Sequence, residues 1–144
     1  IAIDADVTLA AGSEYSAYAV GPLATIAPLV LTDDRRRVAT QARVRIVHAS
    51  PSAGNVDLYV LAPGTALADA APAFTNVAFK ADTGYVNLAA GTYEVSVTPT
   101  ASKTAAIGPV SITLENGGVY TVAARDAAGG GTPLSVIPLD DLAP

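Results

Sequence analysis

The chain has 144 residues, 51% of them hydrophobic and 15% charged, with a formal net charge of -5. That composition can bury a core and excludes intrinsic disorder, and an acidic chain whose one basic run is Arg35-Arg36-Arg37 has no stripe for nucleic acid or anionic membrane. With no cysteine and only one histidine, disulfide frameworks, thiolate zinc sites, iron–sulfur clusters and His-rich metal sites are excluded within one chain.

No apolar run reaches the ~20 residues that span a bilayer, so no membrane insertion is expected. Residue 1 is Ile rather than an initiator Met, and the sequence reads as a processed or excised piece of something longer. The first element is Val7-Thr-Leu-Ala-Ala-Gly-Ser-Glu-Tyr15. A strand ends at Leu9, Gly12 supplies the positive φ of a tight turn, and Tyr15 opens the next strand. The Tyr ring packs on the pleated surface while its hydroxyl takes a backbone partner. Leu29 to Asp34 closes a further strand, and Asp33–Gln41, with its three arginines, reads as a linker.

From there polar and apolar residues alternate in Arg43-Val-Arg-Ile-Val47 and again in Val56-Asp-Leu-Tyr-Val60. Thr65–Ala70 is the best helical candidate, one turn or two. Strand-like runs follow at 74–79, 84–88, 93–98, 110–114, 119–124 and 134–137, with breaks at the ~8–12-residue spacing of a sandwich or barrel. The expected fold is all-β, an immunoglobulin-like antiparallel β-sandwich. Alternation assigns Val44, Ile46, Leu58, Val60, Leu88, Val95, Val97, Ile112, Leu114 and Val122 to its core.

The chain repeats itself. Val7–Tyr15 matches Ile112–Tyr120 at an offset of 105, and Leu29–Asp34 matches Val136–Asp141 at 107. A third corner, Val86-Asn-Leu-Ala-Ala-Gly-Thr-Tyr93, has one residue fewer between Gly91 and Tyr93. Residues 42–144 therefore read as one complete unit and 35–41 as a linker, with 1–34 the closing strands of a preceding unit. A closing third leaves an apolar face and strand edges bare, so 1–34 is expected to dock on the complete unit or to pair with another chain as a homodimer.

His48, Ser50 and Asp57 are the residues that could imitate a hydrolytic triad. Ser50 lacks a nucleophile elbow and precedes Pro51, so the structural reading leads: His48 ends a strand and bonds Asp57 or a backbone carbonyl, and Ser50-Pro51 shapes a turn. Carboxylates gather at unit ends, Asp4 with Asp6, Asp33 with Asp34 and Asp140 with Asp141, and the last four are the calcium candidates on ligand count. They lack an Asp-x-Asp-x-Asp-Gly loop and read first as solvated termini. Glu14, Glu94 and Glu115 are too scattered for a glycosidase pair. Gly129-Gly130-Gly131 is a hairpin tip, since no Lys-Ser/Thr follows it.

The string Ala42-Arg-Val-Arg-Ile-Val-His-Ala-Ser-Pro51 followed by Val56-Asp-Leu-Tyr-Val60 resembles the opening signature of the bacterial domain-of-unknown-function 4397 family. Tyr85 to Tyr93 and Thr113 to Val122 resemble its later segments. The resemblance implies exported, often tandem, β-sandwich modules and carries no activity with it. His48, Ser50, Pro51, Asp57, Gly91, Tyr93, Gly117 and Tyr120 are then structural signature positions. The leading expectation is a non-catalytic structural or adhesion repeat, secreted or in the cell envelope, that uses no cofactor and meets a protein or cell-surface partner. The alternatives are a carbohydrate- or protein-binding module using end loops and, third, a hydrolase around His48.

Overall fold

In the computed structural model, residues 3–142 are described. The strands are β1 Glu14–Val20, β2 Ala27–Asp33, β3 Ala42–His48, β4 Val56–Leu61, β5 Phe74–Val77, β6 Val86–Leu88, β7 Gly91–Pro99, β8 Ile107–Leu114, β9 Val119–Arg125 and β10 Ser135–Asp140. Among the described residues the helical content is a single 3-10 turn, Leu23–Thr25. Thr65–Ala70 forms turns instead of a helix. Pro63-Gly64 and Pro72 bracket it and leave too few residues for a stable helix, and the Lys103 ammonium donates to the Leu67 and Ala70 carbonyls.

Two four-stranded sheets, ordered β10-β9-β3-β6 and β5-β4-β7-β8, face each other, and β1-β2 forms a separate hairpin. All pairings are antiparallel except β3 with β9, which run parallel. The core between the sheets is built from alternate residues: Ala42, Val44 and Ile46 of β3, Leu58 of β4, Val95 and Val97 of β7, Ile112 and Leu114 of β8, and Val122 of β9. Val60 and Leu88 are partly buried against it, and the other eight residues of the expected core are buried. The two-layer sandwich is the expected class. In an immunoglobulin domain the first strand lies beside the second, whereas here β3 pairs β6 and β9 and β4 belongs to the facing sheet. The layers are shared with that class and the strand order is not, because the parallel β3–β9 pair draws the unit's first strand into the sheet of its closing hairpin.

The outer face of the β10-β9-β3-β6 sheet is also buried. Arg45, Val47, Val119 and Thr121 point away from the core yet are at most 1% exposed. The β1-β2 hairpin lies over them, with Ser16, Tyr18, Val20 and Asp33 on its sheet-facing side by the register Ser16↔Leu31 and Tyr18↔Leu29. Its opposite side carries Tyr15, Ala17, Ala19 and Val30, all partly or fully exposed.

Candidate functional site

The structure does not bring His48, Ser50 and Asp57 together as a reacting set. His48 closes β3 in a buried position where its Nε2 lies 2.7 Å from the Gly54 carbonyl and its Nδ1 faces the Ser50 N–H at 3.3 Å. A carbonyl can only accept and an N–H can only donate, so the proton belongs on Nε2 and Nδ1 is already engaged. Phe79 packs edge-on at 6.2 Å. Of the two partners expected for this residue, Asp57 and a backbone carbonyl, it takes the carbonyl. Ser50 turns away from His48 and donates to the Asp126 carboxylate.

Asp57 has a different task. Its two oxygens accept the backbone N–H groups of Asn76 at 2.8 Å and Ala101 at 3.0 Å. Both donors are non-glycine residues at positive φ, 54° and 63°. A buried carboxylate thus holds two left-handed turns that side chains disfavour.

The end of the sandwich that carries Ser50 is built from three loops. Asp126 accepts from Ser50, from Ser52 at 2.8 Å and from the Gly131 N–H at 3.2 Å. Burial alone would raise its pKa, but these hydrogen bonds outweigh it and hold the carboxyl below its usual value. The glycine tip 129–131, all three residues at positive φ, is folded back by that bond. Beside it lies a cleft of about 840 Å³ lined by Val20, Leu23 and Ile26 of the hairpin and by Pro51, Arg125 and Ile137 of the sandwich.

The most heavily bonded polar group is Arg45, at the centre of the outer sheet face. Its Nε and one NH₂ donate to Thr121 Oγ1 at 3.2 and 3.0 Å, the same NH₂ donates to Asp33 Oδ1 at 2.8 Å, and the other NH₂ donates to the Thr32 carbonyl at 3.2 Å. Its guanidinium stacks 4.7 Å from the Tyr85 ring. Burial disfavours the charge, yet Asp33 and the neighbouring groups more than compensate, and the pKa lies above its ordinary value. Asp33 in turn accepts from Ser16 at 2.6 Å. Asp141 accepts from Thr121 at 2.7 Å and from Tyr85 at 2.8 Å. Burial first, and the bond to Asp141 second, push the Tyr85 phenol above its usual range. Thr121 is therefore shared, accepting from Arg45 and donating to Asp141.

The carboxylates named from sequence separate by partner. Asp33 faces Arg45, and Asp34 faces Arg36 at 2.8 Å and Arg43 at 3.1 Å. The hydrogen bonds from Arg36 hold Asp34 well below the usual carboxylate range. Asp140 caps the Leu142 N–H at 2.9 Å, while Asp4 and Asp6 are exposed. Among the described residues no group of three or more His, Cys, Asp or Glu side chains is placed to hold a metal ion.

Two of the glycine–tyrosine corners follow a strand that ends at the expected leucine, Leu88 and Leu114, whereas Val7–Leu9 forms no strand and the first corner has only the strand after it. Tyr120 Oη accepts the Glu115 N–H at 3.3 Å, and Tyr15 Oη accepts the Ala10 N–H at 3.0 Å, five residues upstream in both cases. Gly117 and Gly12 sit at φ 76° and 79°. At the shorter third corner Tyr93 Oη donates to the Ala89 carbonyl, four residues upstream, at 3.0 Å, and Gly91 has φ 154°. Arg45, Thr121, Tyr85 and Asp126 were not singled out by sequence reasoning. The one available signal was Arg45 itself, an arginine on the polar side of an alternating strand whose neighbours Val44 and Ile46 face the core.

Among comparisons with known proteins, a family model described as Domain of unknown function (DUF4397) matches residues 1–59 and 62–144. No curated protein matches the chain.

Proposed function

The chain belongs to the family described as Domain of unknown function (DUF4397), and from that premise we propose that it is a non-catalytic structural module, a spacer or adhesion unit of a secreted or cell-envelope protein. The observation that carries this reading is the Arg45–Asp33 contact. A guanidinium 1% exposed meets a carboxylate 10% exposed, contributed by the hairpin to the outer face of the sandwich. A charge buried at such a joint tolerates one registry, because sliding the hairpin by a residue would leave it unpaired. A module that must hold its neighbours at a fixed angle needs that property. The side chains that could do acid–base or nucleophilic work are engaged elsewhere: His48 with Gly54, Ser50 with Asp126, and Asp57 with two backbone amides. Export is supported by the family resemblance alone, and fractionating the native cells tests it.

Force spectroscopy on the full chain, tethered at both ends, tests the mechanical reading. Hairpin and sandwich are expected to yield in one event, and Asp33→Ala is expected to let the hairpin peel away first at lower force. A hairpin that already peels away separately in the parent chain would overturn the spacer reading. So would a turnover that His48→Gln abolishes in a folded protein.

The three-loop cleft favours a second reading, a binding module. Tyr18 is the only aromatic side chain in its lining, which is poor for stacking sugars and better suited to an apolar segment of another protein. Chemical-shift perturbation of the Gly129–Gly131 amides by a partner protein, without change at Asp33, would support it.

A further inference from the structure

The hairpin repeats the closing hairpin of the complete unit in its contacts as well as its letters. Ser16 Oγ donates to Asp33 Oδ2 at 2.6 Å, and Thr121 Oγ1 donates to Asp141 Oδ2 at 2.7 Å. Ser16 and Thr121 are separated by the same 105 positions as the two corner tyrosines. The strand registers agree, since Tyr15 faces Thr32 as Tyr120 faces Asp140. Asp33 is therefore the counterpart of Asp141, one residue away from the match that letters alone suggest.

The two hairpins differ in what lies beside them. β9 is flanked by β10 on one edge and by β3, in parallel, on the other. Among the described residues β1 pairs with β2 alone, and its second edge is open. Along that edge runs a cleft of about 630 Å³ lined by Glu14 to Tyr18, Asp33, Arg35 and Leu139 to Asp141. In the complete unit, the strand on this edge sets Arg45 beside Thr121 and sends its guanidinium across the joint to Asp33. A strand of the same kind beside β1 would set its arginine beside Ser16 and send it across to Asp141. Arg45 pairs with Asp33, and Glu14 in the same cleft is paired with Arg35 at 3.6 Å, whereas Asp141 meets the neutral hydroxyls of Thr121 and Tyr85. Among the described residues Asp141 has no cationic partner.

We infer that the open edge of β1 takes, in parallel, the β3-type strand of a second copy of the unit, whose Arg45-type guanidinium seats on Asp141. The two copies then meet outer face to outer face about a pseudo-two-fold axis, each supplying an arginine to the other's closing aspartate. The exposed side of the hairpin, Tyr15, Ala17, Ala19 and Val30, becomes the inner face of the second sandwich. Its counterparts on β9, Tyr120, Val122 and Ala124, already pack in the core of the first. This goes beyond the spacer reading, because it names the partner, the strand direction and the atoms of the contact.

The test joins a copy of residues 42–105 ahead of Ile1 of the intact chain, which keeps the 105-residue spacing. Backbone amides of Glu14–Val20 that β2 does not bond should exchange roughly two orders of magnitude more slowly than in the 144-residue chain, the difference between an edge and a paired strand. In the joined protein, Arg45→Gln in the added copy and Asp141→Asn should each lower the melting temperature, and together by less than the sum. Unchanged exchange along β1 would overturn the inference, whether or not the added copy folds. Slowed exchange with fully additive variants would overturn the arginine–aspartate contact. A hairpin that peels away separately in the 144-residue chain, with β1 protected in the joined protein, would sink the spacer reading and leave this one standing.

Discussion

Replacing Asp33 with alanine removes the one carboxylate that faces the Arg45 guanidinium across the joint. Breaking a buried ion pair from one side costs roughly 3–5 kcal/mol, because the remaining charge stays desolvated. Thr121 Oγ1, the Thr32 carbonyl and the face of Tyr85 at 4.7 Å would still meet the cation, which places the loss at the low end. The expected cost is about 3 kcal/mol, or a melting temperature lower by about 10 °C for a chain of this size. Removing both partners is milder, since a methionine fills the space of the arginine stem without carrying a charge. Asp33→Ala with Arg45→Met should therefore lose less stability than Asp33→Ala alone. Urea unfolding followed by far-UV circular dichroism and tyrosine fluorescence measures each variant, the chain having no tryptophan. A loss below about 1 kcal/mol for Asp33→Ala, in the range of exposed pairs, would refute the buried-joint argument.

The same measurements check four further expectations. Asp57→Ala should cost about 2–3 kcal/mol by orphaning the Asn76 and Ala101 amides, and Asn76→Gly should recover part of it by relieving the positive φ. Gly108→Ala should destabilise more than any other glycine substitution outside the corners, because φ is 95° and the added methyl meets the Val95 carbonyl; soluble yield and melting temperature report it. Because folding raises the Tyr85 pKa, the native state keeps a proton that the unfolded chain releases, so stability should fall as pH climbs past the ordinary tyrosine value near 10. Tyr85→Phe should flatten that alkaline limb. Asp126 has the opposite displacement, so its contribution is present above the ordinary carboxylate value near 4 and fades as pH falls through it; Ser50→Ala should shrink this acid limb.

Much of the candidate site was legible at the level of single residues and little at the level of partners. That His48 ends a strand before a turn follows from the local letters, and its choice of the Gly54 carbonyl over Asp57 does not. That Ser50 would meet Asp126 does not follow, because 76 positions separate them and nothing local to either residue names the other. The carboxylate pairs were visible as letters. Whether each met calcium, water or arginine depended on which strands became neighbours.

Alternation and turn chemistry by themselves determined the strands of the sandwich, their core face and its two corners, since a period of two and a glycine at positive φ act within a few residues. The internal repeat likewise needed only the order of the letters. Tertiary structure decided the rest. Arg45 stands on the polar half of an alternating strand and would be solvent-exposed in an isolated sandwich; it is buried because a hairpin from the start of the chain covers that face. The parallel pairing of β3 with β9, the one-residue difference that makes Asp33 the counterpart of Asp141, and the open edge of β1 arise in the same way. Burial of a strand's second face is a property of whatever segment lies against it, and that segment's sequence is far away.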